Sequence, residues 1–228
     1  MIREAEICRY LSNTLKCVVL DADYAKGPWH QAPHALDDVL SVIKYTQTQP
    51  EWLDASRLTV GGFSAGANLA LLAAASLPKG MVRAVSAWYP PVDLRTHARE
   101  GSPPPIPGDE IPGDGPGQKV SPQLLLKFRQ AYLPVDMDRG DPRISPLFCE
   151  ASAFPPLILV VGTRDALYSD CVAFQQKLTE AGVAVDFMAV PRAGHSWERY
   201  VTKGMSIFEQ LREEAFRRTV ECLKAAQA

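Results

Sequence analysis

The chain has 228 residues and a formal net charge of −2 with acidic and basic residues interspersed, which is enough for one α/β domain with a full core. The absence of a polybasic run argues against a nucleic-acid partner, and no apolar run reaches the ~18 residues of a membrane-spanning helix. Five scattered cysteines (Cys8, Cys17, Cys149, Cys171, Cys222) fit neither a metal site nor a disulfide framework. They read as free thiols of a reducing compartment, and cytoplasm is the expected location. The N-terminus supports this expectation, because Arg3, Glu4 and Glu6 stand where a signal peptide needs an apolar segment.

In chain order, Ile2 to Leu15 reads as a helix with Ile7, Tyr10 and Leu11 on one face and Cys8 beside it. Cys17 to Leu20 reads as a short buried strand. A loop with Gly27, Pro28 and Pro33 follows, and His34 to Thr48 returns to helical spacing. Leu58 to Phe63 and Val82 to Trp88 have strand length and character, with an Ala- and Leu-rich helix between them. From Ser102 to Gly117 the chain is too rich in proline and glycine for helix or sheet. Ser121 to Tyr132 reads as a short helix with Pro122 in its first turn. Residues 95–147 are therefore expected to be an insertion between core strands, acting as a lid within a single domain spanning 1–228. Leu157 to Val161 is a predicted strand, Asp170 to Ala181 a helix with Ser169 as cap, and Val183 to Val190 a strand. From Ser206 onward an amphipathic helix turns Ile207, Phe208, Leu211, Ala215, Val220 and Leu223 inward. Glu213/Arg217 and Glu214/Arg218 are its expected outer i,i+4 pairs. This β-α alternation predicts a mostly parallel sheet with helices on both faces.

The stretch with chemical content is Gly62-Phe63-Ser64-Ala65-Gly66, set between a strand and a helix. G-x-S-x-G in that setting projects a serine hydroxyl at a sharp turn, with the helix N-terminus aimed at charge developing beside it. The bare pattern also suits a close-packed turn, so later residues decide. Serine needs a base within hydrogen-bond reach, and the base needs a carboxylate to fix its tautomer. His195 and Asp165 each follow a predicted strand, so both are expected on the same rim as Ser64. The order Ser, Asp, His is that of α/β-hydrolases. His30, His34 and His97 are rivals that suit loop surface or caps. Asp170 suits a helix first turn and Asp186 lies mid-strand. Asp21, Asp23, Asp37 and Asp38 read as structural.

These residues resemble the hormone-sensitive-lipase-like branch of the α/β-hydrolases, which includes arylacetamide-deacetylase-like esterases. Asp23-Tyr24 through Pro28, His30, Pro33 and Leu36-Asp37-Asp38 resembles that branch's D-Y-x-x-x-P-x-H-x-x-P stretch, with Trp29 at a usually acidic position. Gly62 to Gly66 resembles its G-D-S-A-G elbow, with Phe63 where Asp is common. Gly162-Thr-Arg-Asp165-Ala-Leu167 resembles its acid loop, and Gly194-His195-Ser-Trp197 its histidine loop. The resemblance implies hydrolysis of small-molecule carboxylic esters of short to medium acyl chain, without cofactor or metal. It assigns Ser64 as nucleophile, His195 as base, Asp165 as its orienter and the Ala65 N–H as an oxyanion donor. Trp29, Tyr89 and Trp197 are the candidate substrate-pocket walls.

The branch's H-G-G-G oxyanion loop has no counterpart in the chain, and Ala65 is then the one obvious donor. In that branch the strand carrying the loop lies between the Cys17–Leu20 strand and the nucleophile strand, and its absence would leave a gap or an altered pairing inside the sheet. Two readings follow: an N-terminally incomplete product, or a natural, catalytically impaired relative serving as a binding module. The first is favoured because Ser64, Asp165 and His195 are retained together.

Overall fold

The computed structural model describes residues 5–95 and 115–226. His97 and the proline-rich run through Asp114 lie outside them. Helices α1 (Ala5–Leu15) and α2 (His34–Gln47) precede a four-stranded sheet. Its strands are β1 (Val60–Phe63), β2 (Val85–Trp88), β3 (Leu157–Gly162) and β4 (Val185–Val190), all parallel and in the spatial order β1-β2-β3-β4. Between and after them run α3 (Ala65–Ser76), α4 (Pro122–Tyr132), α5 (Tyr168–Glu180) and α6 (Ser206–Ala225).

That strand order explains the layers. Each right-handed crossover steps the same way across the sheet, so α3 and α5 pack on one face. α3 lies on β1 and β2 with α2 against it, and α5 lies on β3 and β4. α6 crosses β2, β3 and β4, with α1 against its outer side. Phe216 of α6 meets the Trp88 ring with centroids 5.4 Å apart, and Tyr10 of α1 meets Phe216 at 5.5 Å. The strands β2 and β3 are buried at every position, as central parallel strands must be. α3 buries eight consecutive residues, Ala67 to Ala74, which suits its near-continuous Ala and Leu sequence.

Most predicted elements stand where the sequence put them, and Ser121 caps α4 by accepting the Leu124 N–H at 3.2 Å. Several do not. Cys17–Leu20 is not a strand: these residues join no ladder, and Val18 and Leu20 are exposed. An apolar run becomes a strand only if a neighbour takes its backbone groups, and β1 pairs with β2. Among the described residues the four strands pair in unbroken succession with β1 at one end, and Cys17–Leu20 is not paired beyond it. α5 begins at Tyr168, before the expected Ser169 cap, because Asp165 starts the turn: the Tyr168 N–H donates to its carbonyl at 3.0 Å. On α6, Ile207 is exposed and Thr219 takes an inward place instead. Arg217 pairs with Glu214 and Glu221, and Arg218 reaches across to Asp186 on β4.

Two buried features behave as stability-critical joints. Asn68 donates to the carbonyls of Pro91 at 2.7 Å and Ile144 at 3.0 Å, tying α3 to the chain beyond β2. Asn68→Ala removes both bonds and leaves the buried Ile144 carbonyl without this donor, and urea unfolding should show a loss of roughly 1–3 kcal/mol. At Gly162 an added Cβ would sit 2.6 Å from the Ala193 carbonyl carbon and closer still to its oxygen. Gly162→Ala should therefore cost roughly 1–3 kcal/mol by the same measurement, with unfolding that stays cooperative.

Candidate active site

Ser64 follows the last residue of β1 and caps α3 with φ 51° and ψ −118°. A left-handed φ at a non-glycine residue is strained, by about 1–3 kcal/mol. It is held by two backbone bonds: the Ser64 N–H donates to Trp88 O at 2.9 Å, and its carbonyl accepts from Asn68 at 3.0 Å. The turn is this tight because Gly62 lacks a side chain; a Cβ there would lie 2.6 Å from the Gly66 carbonyl oxygen. Ala65 and Gly66, as the first residues of α3, have no i−4 carbonyl for their N–H groups within the helix. Those donors point the positive end of the helix dipole at the neighbourhood of the Ser64 hydroxyl.

Asp165 lies three residues past β3 and His195 five past β4. Two backbone contacts bring their loops together. The Arg164 N–H donates to Ala193 O at 3.0 Å, and the Arg192 N–H donates to Thr163 Oγ1 at 2.8 Å. Asp165 then uses both carboxylate oxygens. Oδ1 accepts from the Leu167 N–H at 3.0 Å, and Oδ2 lies 2.7 Å from His195 Nδ1. On the other side of the ring, His195 Nε2 lies 2.9 Å from Ser64 Oγ. The Asp165 side chain is wholly buried and that of His195 is 11% exposed, so little solvent screens their contact.

Of the rival histidines, two fall among the described residues and lie apart from this site. His30 and His34 are exposed and pack edge to face with each other at 6.0 Å. Asp186 is committed to Arg218, and Asp38 accepts the Ala25 N–H at 2.7 Å, a structural bond. Asp170 is buried in the first turn of α5.

The expected pocket walls are corrected. Tyr89 and Trp197 have no exposed surface to offer a substrate, and Trp29 is 85% exposed. Trp197 stacks on Trp88 at 6.3 Å, as core aromatics do. A separate cleft of about 390 Å³ is lined by Phe63, Glu198, Arg199, Tyr200, Arg212 and Phe216, together with Glu6 and Ile7 of α1.

Sequence reasoning missed the contacts that three residues make around His195, although it had named Tyr89 as a pocket wall. Tyr89 lies behind His195, ring centroids 4.7 Å apart, and donates its hydroxyl to Glu198 Oε1 at 2.6 Å. Burial and the adjoining carboxylate push the Tyr89 phenol far above its usual range, so it remains a donor. Burial also raises the Glu198 carboxyl, opposed by the Tyr89 and Arg199 hydrogen bonds. The third group is Gln118. It exchanges two backbone bonds with His195, donating at 2.7 Å and accepting at 3.0 Å. A Tyr-Pro-Pro end to β2 and a glutamate three residues past the histidine were the available signals, and neither specifies contact.

Comparison with known proteins agrees with this architecture. The family profile described as alpha/beta hydrolase fold matches residues 3–199. An ethyl acetate hydrolase of Pseudomonas putida is 31% identical over 196 residues, covering 85% of this chain and 60% of that protein. An esterase of Acinetobacter venetianus is 29% identical over 184 residues, covering 78% and 56%. The chain thus spans little more than half the length of these relatives. Among solved structures, a hyperthermophilic esterase from the archaeon Pyrobaculum calidifontis superposes with a TM-score of 0.77 at 23% identity, covering 99% of this chain and 70% of that one. The carboxylesterase EstE1, cloned from a metagenomic library, gives 0.77 at 21% identity, covering 96% and 74%. With a profile match across most of its length, and with the elbow, acid-loop and histidine-loop motifs of the hormone-sensitive-lipase-like branch, the chain belongs to the α/β-hydrolase family.

Proposed function

We propose that this chain is a serine carboxylic ester hydrolase with Ser64 as nucleophile, His195 as general base and acid, and Asp165 as the group that orients His195. The observation that carries the reading is the unbroken relay from Asp165 Oδ2 to His195 Nδ1 at 2.7 Å and from Nε2 to Ser64 Oγ at 2.9 Å. The names of its relatives, an ethyl acetate hydrolase and an esterase, supply the substrate class: small carboxylic esters.

The reaction follows from the geometry. His195 Nε2 takes the Ser64 proton as Oγ attacks the ester carbonyl. The carbonyl electrons move to oxygen, where the Ala65 N–H donates to the developing oxyanion; one such donor is worth roughly 3–4 kcal/mol. Collapse expels the alcohol, which leaves with the proton from His195, and Ser64 is acylated. Water, deprotonated by His195, then attacks the acyl-enzyme and returns the free acid and the serine hydroxyl. Asp165 keeps the Nδ1 proton toward itself throughout, so that Nε2 is the basic atom. These steps draw on no metal or cofactor.

We further propose residues 95–147 as a cap over this site. Support comes from its described part, 115–147. Its leading end bonds His195 through Gln118, and its helix α4 closes on the loop after Asp23, where the Ala32 N–H donates to Tyr132 O at 2.8 Å.

A fluorophosphonate probe should label the protein at Ser64, and Ser64→Ala should abolish both labelling and hydrolysis of p-nitrophenyl acetate. His195→Ala and Asp165→Asn should each lower kcat by roughly 10³-fold or more. A Ser64→Ala protein that turns over the ester at the original rate would overturn the reading. In that event the fold serves binding instead.

A further inference from the structure

His195 is pinned at Nδ1 and faces Ser64 at Nε2, but two in-plane contacts leave an imidazole able to rock about its Cβ–Cγ bond. A further contact on the ring comes from Tyr89, whose own ring packs against it. Tyr89 stands one residue past β2 with φ 42°, a left-handed value that tyrosine rarely adopts. Its N–H donates to Val160 O at 2.6 Å, extending the β2–β3 ladder by one bond and fixing that conformation. The strained backbone turns the side chain across the base of the histidine loop, where it has no solvent exposure. The Tyr89 and His195 rings meet at 62°, centroids 4.7 Å apart.

The far end of Tyr89 is tied to the same loop. Its hydroxyl donates to Glu198 Oε1 at 2.6 Å. Glu198 is itself 93% buried, lies three residues beyond His195 and is braced by two arginines. Arg199 Nε donates to the same oxygen at 3.3 Å, and an Arg212 guanidinium N–H from α6 reaches the Glu198 carbonyl at 3.4 Å. Between them Ser196 takes a left-handed φ of 57°, so the loop reverses sharply right after the histidine. Tyr89 thus touches the loop at both ends of that reversal, the imidazole at one and the carboxylate at the other. A phenol placed only for packing needs neither a left-handed backbone nor a partner on the loop it packs beneath.

We propose that Tyr89, tethered by Glu198, is a positioning residue for His195, holding the imidazole in line between Ser64 and Asp165. This inference rests on the proposed role of His195, and its test separates the two. Steady-state kinetics with p-nitrophenyl acetate are paired with proton NMR of the low-field resonance expected from His195 Nδ1–H against Asp165, which needs no turnover. Tyr89→Phe keeps the ring and frees it from the loop; Glu198→Ala frees it from the other side. Each should lower kcat about tenfold with KM little changed, since small misplacements of a reacting group cost one to two orders of magnitude. Each should also broaden or erase the low-field resonance. The double variant should be no slower than either single, because both remove one tether. Glu198→Gln, which keeps an oxygen acceptor, should restore kcat to within about threefold of the parent.

The proposal is overturned if Tyr89→Phe and Glu198→Ala keep both kcat and the resonance, or if their effects simply add. It is overturned equally if only thermal stability changes, the outcome of a purely structural role. Should Tyr89→Phe fail to fold, Glu198→Ala carries the same comparison from the loop side. A parent protein that hydrolyses no ester, but whose low-field resonance vanishes in Tyr89→Phe, would defeat the esterase reading and leave the positioning role standing.

Discussion

The contact on which the site depends is the 2.7 Å bond between Asp165 and His195, made with both side chains out of water. It joins two loops that meet nowhere in sequence, and it forms only because β3 and β4 end side by side. Their parallel register, Leu157 with Val185 through Gly162 with Val190, brings both loops off the same edge of the sheet. The Ala193 carbonyl then drops into the space left by Gly162, letting the backbones approach more closely than any side chain would allow. Ser64 arrives from two strands away by the same logic, since β1 and β2 pair in the same direction. A parallel sheet delivers its strand ends to one rim, and the three groups are what this chain mounts there.

Much of this was legible because the signals are local. Glycines two positions either side of Ser64, between an apolar run and an Ala-rich helix, specify a sharp turn. Ser121 followed by Pro122 specifies the start of α4. Asp165 and His195 could be read because each follows a run of strand length, and only one rim is available to them. Cys17–Leu20 shows the limit. Its Val-Val-Leu sequence is indistinguishable from that of a buried strand, yet strand formation depends on which backbone lies alongside, and that is not a local property. The charges of α6 show another limit. Helical spacing predicted Glu213/Arg217 and Glu214/Arg218, but neither pair forms: Arg217 takes Glu214 and Glu221, and Arg218 takes Asp186 on the neighbouring strand.

The groups missed in the sequence share a character. Tyr89, Glu198 and Gln118 act at a distance in the chain and have no spacing signature. Tyr89 was legible as an aromatic at a strand end, and the natural inference was a pocket wall. What the sequence could not carry was its backbone: φ 42° directs the ring under the histidine loop instead of toward solvent. Glu198 carries no motif of its own, and burial raises its carboxyl above the usual range. Tyr89 and Arg199 both donate to its Oε1, which offsets part of the cost of that burial.

These contacts act on the His195 ring, while its backbone is held separately. Gly117 and Gly194 pass each other so closely that a Cβ on Gly194 would lie 2.8 Å from the Gln118 carbonyl oxygen. That passage allows the two bonds between Gln118 and His195, and a third from the Gly194 N–H to Pro116 O at 2.9 Å. The histidine loop is therefore gripped by the acid loop at Ala193, by the segment before α4 at Gly194 and His195, and by Tyr89 at the ring and at Glu198. A triad's own two hydrogen bonds are too few to hold a loop, because each is worth only about a kcal/mol net against the entropy of ordering several residues. Here the bonds between Asp165, His195 and Ser64 need not do that holding. Main-chain contacts made possible by glycines hold the loop, and the side chains meet within that frame.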